Sequence, residues 1–149
     1  MSAPAMRPEM SFLALPVPDV AAAVAFYGRL GWAPLRQAED YAFFALGGLV
    51  LALVTPARLV AEGGGGGDTA EMAPLALLSH NVAAEEELAP LIAAFCAAGG
   101  RLLRPAGPTP WGGARALVED PSGLRWELVW NPRARPAPGG GLTLGPRGG

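Results

Sequence analysis

The sequence predicts an α+β fold made of two successive units, each with the order strand, helix and three strands. Of its 149 residues, 51% are hydrophobic, which supplies the apolar surface that a compact core requires. Five consecutive glycines at residues 63–67 divide the chain near its middle. The same order of apolar runs, helical stripe and turn signals appears on both sides of this division, which indicates an internal duplication.

The first unit opens with an apolar run at residues 11–17. Pro16 and Pro18 end this run, and Asp19 follows where an N-cap residue would start a helix. Hydrophobic residues then recur at three- and four-residue spacing up to Gly31, a glycine placed where helices commonly end. The pattern therefore predicts an amphipathic helix after Asp19. Three strands are predicted to follow, at residues 32–37, 41–46 and 48–55.

The second unit repeats this order after a segment, residues 62–72, that has the composition of a flexible linker. An apolar stretch at residues 74–82 predicts a strand. Three glutamates at residues 85–87 favour the start of a helix because they complement its positive N-terminus, and two glycines at residues 99–100 end it. Three further strands are predicted at residues 101–104, 113–119 and 124–130, the last two joined by a type I turn.

These elements define the expected domain organisation and localisation. The net charge is −2, and the basic residues are all arginine without a cluster, which argues against nucleic-acid binding. No apolar run approaches the roughly 20 residues of a membrane-spanning helix, and the first ten residues lack a secretory signal pattern, so we expect a cytoplasmic protein. We expect an N-terminal extension at 1–10, one domain at 11–132 with units at 11–61 and 73–132, and a disordered tail at 133–149.

The chain has one cysteine, Cys96, and one histidine, His80. A single cysteine cannot form an internal disulfide, and it lacks histidines for a nucleophilic pair. Catalytic or metal sites that need several imidazoles are excluded within one chain. Any such mechanism would depend on a second subunit.

Several short motifs resemble those of the vicinal oxygen chelate superfamily, which includes glyoxalase I, extradiol dioxygenases and bleomycin-resistance proteins. They are LPVPD at 15–19, FY at 26–27, LGW at 30–32, AGG at 98–100, WGG at 111–113, EDPSGLRWE at 119–127 and WNP at 130–132. The resemblance spans residues 11–132. It implies that the two units form a curved, cup-shaped mixed sheet with helices on the outside, and that the protein is a homodimer.

The resemblance also implies four inward-facing positions that bind a metal in many members. These positions fall on Phe12, Ala52, Leu77 and Glu127, of which only Glu127 is a metal ligand. A metal site needs about three N or O ligands from the protein, so no cofactor is expected. If a divalent metal is nevertheless present, Glu127 is its ligand, joined by His80 as a displaced substitute.

Side chains of the expected cup are candidates for ligand binding. Strand alternation places Glu127 towards the cup and Trp126 and Trp130 towards the helices. Each candidate also has a structural interpretation: an ion pair for Glu127, core packing for the aromatic residues, a hydrogen-bonded structural role for His80 and a solvated surface position for Arg115. The candidate ligand-binding residues are Phe12, Tyr41, Phe43, His80, Asn81, Trp111, Arg115 and Glu127.

The sequence leaves three functional hypotheses. The first is a metal-independent protein that sequesters or recognises a small, partly hydrophobic molecule, as bleomycin-resistance proteins do. The second is a glyoxalase-type lyase or isomerase, or a dioxygenase, that uses Glu127 as its catalytic residue with or without a divalent metal. The third is an accessory protein whose cup is filled by its own side chains.

Overall fold

The computed structural model describes residues 6–64 and 76–145, so most of the predicted linker lies outside the described residues. The first unit contains β1 (Phe12–Pro16), α1 (Val20–Arg29), β2 (Arg36–Gln37), β3 (Tyr41–Leu46), β4 (Leu49–Val54) and α2 (Pro56–Ala61). The second contains β5 (Leu77–Val82), a 3-10 turn (Glu85–Glu87), α3 (Leu88–Ala97), β6 (Arg101–Pro108), β7 (Ala114–Glu119) and β8 (Arg125–Trp130). Two short strands follow, β9 (Ala134–Pro136) and β10 (Leu142–Leu144).

Each unit forms its own four-stranded mixed sheet. The strand order is β1-β4-β3-β2 in the first sheet and β5-β8-β7-β6 in the second. In each, the first strand pairs in parallel with the last strand of its unit, and the other pairs are antiparallel. The predicted α+β fold of two βαβββ units is therefore confirmed, and the sheets are not closed.

Helices α1 and α2 begin where a side chain satisfies one of their first free N–H groups. Asp19 accepts a hydrogen bond from the backbone N–H of Ala22 at 2.9 Å, which caps α1 as predicted. Thr55 caps α2 in the same way, and Pro56 provides its first residue, although this helix was not predicted. None of the helices in the described parts of the chain is long and apolar enough to cross a membrane.

One core joins the two units. Helix α1 packs on β3 and β4, and α3 packs on β6, β7 and β8, so each sheet has one face covered by a long helix. We call the opposite faces the open faces, although the short helix α2 contacts β1 and covers part of the first one. Trp32 lies between the two helix-covered faces: its ring centroid is 5.8 Å from that of Phe44 in the first sheet and 5.9 Å from that of Trp126 in the second. Trp32 thus links the helix-covered faces of the two sheets.

Tyr27 forms a hydrogen-bonded clasp between the units. Its hydroxyl donates to Asp120 Oδ2 at 2.6 Å and accepts from Trp126 Nε1 at 3.0 Å. Asp120 Oδ1 in turn accepts from the backbone N–H groups of Ser122 and Leu124. Burial, and then the charge of Asp120, raise the pKa of Tyr27, and burial raises the pKa of Asp120. The buried side-chain polar atoms of Tyr27, Asp120 and Trp126 are therefore all hydrogen-bonded.

The lengths of two strands differ from the sequence prediction. Strand β2 covers only residues 36–37 of the predicted 32–37, because Trp32 turns into the core and stacks on Tyr27. Strand β6 continues to Pro108, beyond the predicted end at residue 104, with two register shifts against β7. Both differences arise from tertiary contacts.

The tail predicted to be disordered instead forms a hairpin, so this prediction is wrong for residues 133–145. Strands β9 and β10 pair antiparallel, and Ala134 is buried. The turn of the hairpin lies against Gly47, between β3 and β4, so closely that a Cβ on Gly47 would lie 2.5 Å from the carbonyl oxygen of Gly139. Glycine-rich composition permits this backbone contact as readily as it permits disorder. Residues 146–149 lie outside the described part of the chain.

Candidate ligand-binding site

The open face of the first sheet carries an aromatic wall. The strand register places Phe12, Tyr41 and Phe43 on this face, beside Ala52. Phe12 and Phe43 meet edge to face with centroids 5.3 Å apart, and Tyr41 stacks on Phe43 at 4.6 Å. The guanidinium of Arg58 lies 4.5 Å above the Tyr41 ring. Phe44 points to the core, so alternation in β3 separates the wall from the core.

The open face of the second sheet carries Glu127. Ser79 Oγ donates a hydrogen bond to Glu127 Oε1 at 3.0 Å, and Arg115 Nη1 lies 3.7 Å from Glu127 Oε2. These three residues lie on β5, β8 and β7 at neighbouring register positions. Ser79 holds Glu127 from the neighbouring strand, and Glu127 and Arg115 line a cavity of about 350 Å³, which we call the Glu127 cavity. Its other lining residues include Leu77, Arg104, Leu117 and Arg125.

Positive charge exceeds negative charge in the Glu127 cavity. Arg104, Arg115 and Arg125 line it together with the single carboxylate of Glu127. Arg125 Nε also lies 3.3 Å from Glu119 Oε2, at the end of β7. Within the described residues, Arg104 forms no ion pair. The cavity is therefore suited to an anionic group, which guanidinium side chains bind with charge-assisted hydrogen bonds.

The residues at the four expected metal positions do not fit a divalent metal. Phe12, Ala52 and Leu77 have no ligand atoms, and the oxygens of Glu127 already face Ser79 and Arg115. No group of three or more His, Cys, Asp or Glu residues that could hold a metal ion occurs in residues 6–64 and 76–145. A metal held by one carboxylate lacks the ligands that protein sites require.

His80 does not lie beside Glu127, which corrects the prediction that it substitutes for a missing ligand. In β5, Ser79 is the register partner of Glu127 and His80 is the partner of Leu128. Successive strand residues point to opposite faces, so His80 lies on the helix-covered face and Asn81 returns to the open one. His80 and Glu127 therefore cannot share a metal within one chain.

Trp111 is packed against the sheet. Its indole lies over Gly113, just before β7, where a Cβ would overlap both the ring and the carbonyl oxygen of Trp130. The side chain is half-buried and is not among the residues lining the Glu127 cavity. Glycine at residue 113 is thus explained by close packing of the indole.

The predicted site residues fall into three groups. Phe12, Tyr41 and Phe43 share the first open face, while Asn81, Arg115 and Glu127 share the second. The third group lies on neither open face: His80 is on the helix-covered face and Trp111 is in the loop before β7. The sequence analysis missed Ser79 and Arg104 as site residues. Period-two alternation in β5 is a signal that identifies Ser79, whereas the register shifts in β6 hide Arg104.

The chain is similar to known proteins in both sequence and structure. The family model of the Glyoxalase/Bleomycin resistance protein/Dioxygenase superfamily matches residues 10–128. Comparison with curated proteins finds no match. Among solved structures, a glyoxalase-related enzyme from Fulvimarina pelagi is similar over 93% of this chain and 99% of its own, with 36% identity and a TM-score of 0.85.

More distant structures share the fold. A glyoxalase/bleomycin resistance protein/dioxygenase from Nocardioides has 22% identity and a TM-score of 0.70, and 85% of each chain is covered. A member from Burkholderia phytofirmans has 18% identity and the same TM-score, covering 82% of this chain and 98% of its own. Since the family model covers most of the residues and one relative exceeds 30% identity, the chain belongs to the Glyoxalase/Bleomycin resistance protein/Dioxygenase superfamily.

Proposed function

We propose that the protein binds a small, partly hydrophobic molecule with an anionic group and that it does so without a metal ion. The observation that carries the proposal is the Glu127 cavity, where Arg115 and Glu127 face one another beside apolar side chains. The lack of ligand atoms at Phe12, Ala52 and Leu77 supports the metal-independent part of the proposal.

The walls of the Glu127 cavity suit such a molecule. Its volume of about 350 Å³ lies at the lower end of the roughly 300–1,000 Å³ typical of small-molecule sites. Leu77 and Leu117 offer apolar contact, and Arg104 and Arg115 offer N–H donors to an anion. Glu127, fixed by Ser79, is placed to accept a hydrogen bond from a donor on the ligand. A cavity that remains open also argues against an accessory protein filled by its own side chains.

The test is binding of benzoate and phenylacetate, measured by titration calorimetry on the full chain and on Arg115→Met. We expect the substitution to weaken binding by roughly tenfold to a hundredfold, because it removes a charge-assisted hydrogen bond while retaining the apolar stem. The control is Arg7→Met, an exposed arginine that pairs with Glu9. Equal affinity in all three proteins would reject the proposed site.

Metal independence has its own test. Protein purified without a chelator is expected to contain less than a stoichiometric amount of Zn, Ni, Mn or Fe by elemental analysis. EDTA is expected to leave its thermal unfolding temperature unchanged. A tight, stoichiometric metal that is lost in Glu127→Gln would contradict the proposal.

An enzymatic function is the alternative. It is supported by the description of the Fulvimarina pelagi relative as a glyoxalase-related enzyme. In this alternative Glu127 acts as acid or base in a lyase, isomerase or dioxygenase reaction. A turnover that is abolished in Glu127→Gln, with thermal unfolding unchanged, would favour this alternative over binding alone.

The proposal includes association into a homodimer in the cytoplasm. Large apolar side chains on both open faces support association, since Phe12 is 52% exposed and Leu77 is 58% exposed. A second copy that covers these residues would remove them from water. Gel filtration with light scattering is expected to give twice the mass of one chain, and a clean monomer would count against the dimer.

A further inference from the structure

A second cavity lies on the other side of the second sheet, at the junction of the two units. It has a volume of about 360 Å³ and opens between the end of α1, helix α3 and strands β5 and β8. We call it the junction cavity. Because His80 and Leu128 line it while Ser79 and Glu127 line the opposite face, the sheet itself separates the junction cavity from the Glu127 cavity.

The walls of the junction cavity are largely aromatic and aliphatic. Trp32 and Trp126, which meet edge to face, both line it. Leu91 and Ala94 line it from α3. Indole rings offer large, rigid contact areas, and half-buried Trp32 remains partly accessible to a bound molecule. These walls favour a planar aromatic ligand.

Arg29 gives the junction cavity its charge. Its Nε donates to the carbonyl oxygen of Ala98 at 2.7 Å, which anchors the guanidinium beside the cavity. No acidic residue lines the cavity, and Arg29 forms no ion pair within residues 6–64 and 76–145. An anchored guanidinium that keeps its terminal N–H donors beside the cavity is suited to a carboxylate.

We propose that the junction cavity binds a planar aromatic molecule with one carboxylate, its ring against Trp32 and Trp126 and its carboxylate on Arg29. The site is separate from the Glu127 cavity, so it stands or falls independently of the proposed function. His80 completes the rim with an imidazole that offers a donor and an acceptor nitrogen.

The test uses 2-naphthoate as the probe and the imidazole of His80 as the reporter. His80 is the only histidine of the chain, so its carbon-bound protons give one set of imidazole signals in proton NMR. We expect 2-naphthoate to shift these signals in a saturable way. The neutral analogue 2-naphthalenemethanol is expected to bind at least about tenfold more weakly, since it cannot form the charge-assisted bond.

Two variants locate the probe. Ala94→Phe places a ring in the cavity from an exposed helix position and is expected to abolish the shift. Arg29→Gln is expected to weaken binding by about tenfold or more. Arg7→Gln serves as the charge-matched control that leaves binding unchanged. Thermal unfolding of each variant shows whether it is folded. If Arg29→Gln does not fold, Ala94→Phe still tests the proposal.

Three outcomes would overturn the proposal. They are the absence of any His80 shift at millimolar 2-naphthoate, an undiminished shift in folded Ala94→Phe, and a shift that is lost in Arg115→Met but kept in Arg29→Gln. The last outcome would assign the probe to the Glu127 cavity. Conversely, a His80 shift that persists in Arg115→Met supports the junction cavity even if the proposed function fails.

Discussion

At the scale of single residues, the hydroxyl of Tyr27 has the clearest energetic role. Tyr27→Phe removes the donor to Asp120 and the acceptor for Trp126, and it leaves two buried polar groups without a partner. We expect the free energy of unfolding to fall by about 1–3 kcal/mol. Urea unfolding measures this loss, with Tyr41→Phe on the open face as the control. Equal free energies of unfolding for the two variants would show that water replaces the hydrogen bonds of the Tyr27 hydroxyl.

His80 predicts a pH dependence at the same scale. Burial lowers the pKa of His80 below its ordinary value, and the negative charge of Glu87 opposes this shift. The folded state therefore favours neutral imidazole. This group adds stability above about pH 6.5, and the contribution is lost as the pH falls through the lower folded pKa.

The measurement is urea unfolding of the wild type and of His80→Gln across this acidic range. We expect the free energy of unfolding of the wild type to fall relative to that of His80→Gln as the pH falls. NMR titration of the single imidazole is expected to give a midpoint below about 6.5. A midpoint at or above that value would contradict the prediction.

The sequence predicted individual site residues only in part. The resemblance assigned Phe12 and Glu127 to inward-facing positions, and strand alternation grouped Tyr41 with Phe43. The structure places all four on open faces, and their role in ligand binding stays a prediction. His80 was misplaced because its partner in β8 depends on register, which single residues do not encode. Trp111 was a candidate ligand-binding residue, and only the packing of its ring on Gly113 shows where it lies.

At the scale of elements, the sequence predicted the features that depend on residues close together in the chain. The Asp19 cap and the strand at residues 41–46 were predicted with the bounds that the structure shows. Helix α2 was missed because its six residues carry no stripe of buried side chains. The C-terminal hairpin was missed because its position depends on Gly47, about ninety residues earlier in the chain.

The contact at Gly47 predicts a specific loss when a methyl group is added. Gly47 has φ of +64°, and a Cβ there would lie 2.5 Å from Gly139 O. We expect Gly47→Ala to detach β9 and β10, and so to raise amide exchange and protease cleavage in residues 134–144. Gly48→Ala is the matched control, because its Cβ would meet no atom within 4 Å. Equal protection of the hairpin in both variants would contradict this contact.

At the scale of the whole molecule, the relation between the two units was the least predictable feature. Periodicity separated the two sets of side chains on each strand, but it does not state which set faces the core or which faces meet. The contacts of Tyr27 with Asp120 and of Phe26 with Phe95 join residues far apart in the chain. Such contacts depend on how the side chains of the two units pack together in the core, which the pattern within one unit does not specify.

The shared core predicts that both units unfold together. Phe26 of α1 is fully buried and meets Phe95 of α3 edge to face, with centroids 5.0 Å apart. Phe26→Ala is expected to destabilise the chain by about 3–5 kcal/mol through lost burial and the cavity it leaves. Phe12→Ala, on the open face, is expected to cost markedly less.

Cooperativity distinguishes a shared core from two adjoining ones. If the core is shared, tryptophan fluorescence and far-UV circular dichroism of the wild type change together in one urea transition. In Phe26→Ala the midpoint moves to lower urea for both signals, because weakening α1 also removes support from α3 and Trp126. Two separate transitions in the wild type, or a variant in which only one signal moves, would mean that each unit is stable by itself and that their junction contributes little to folding.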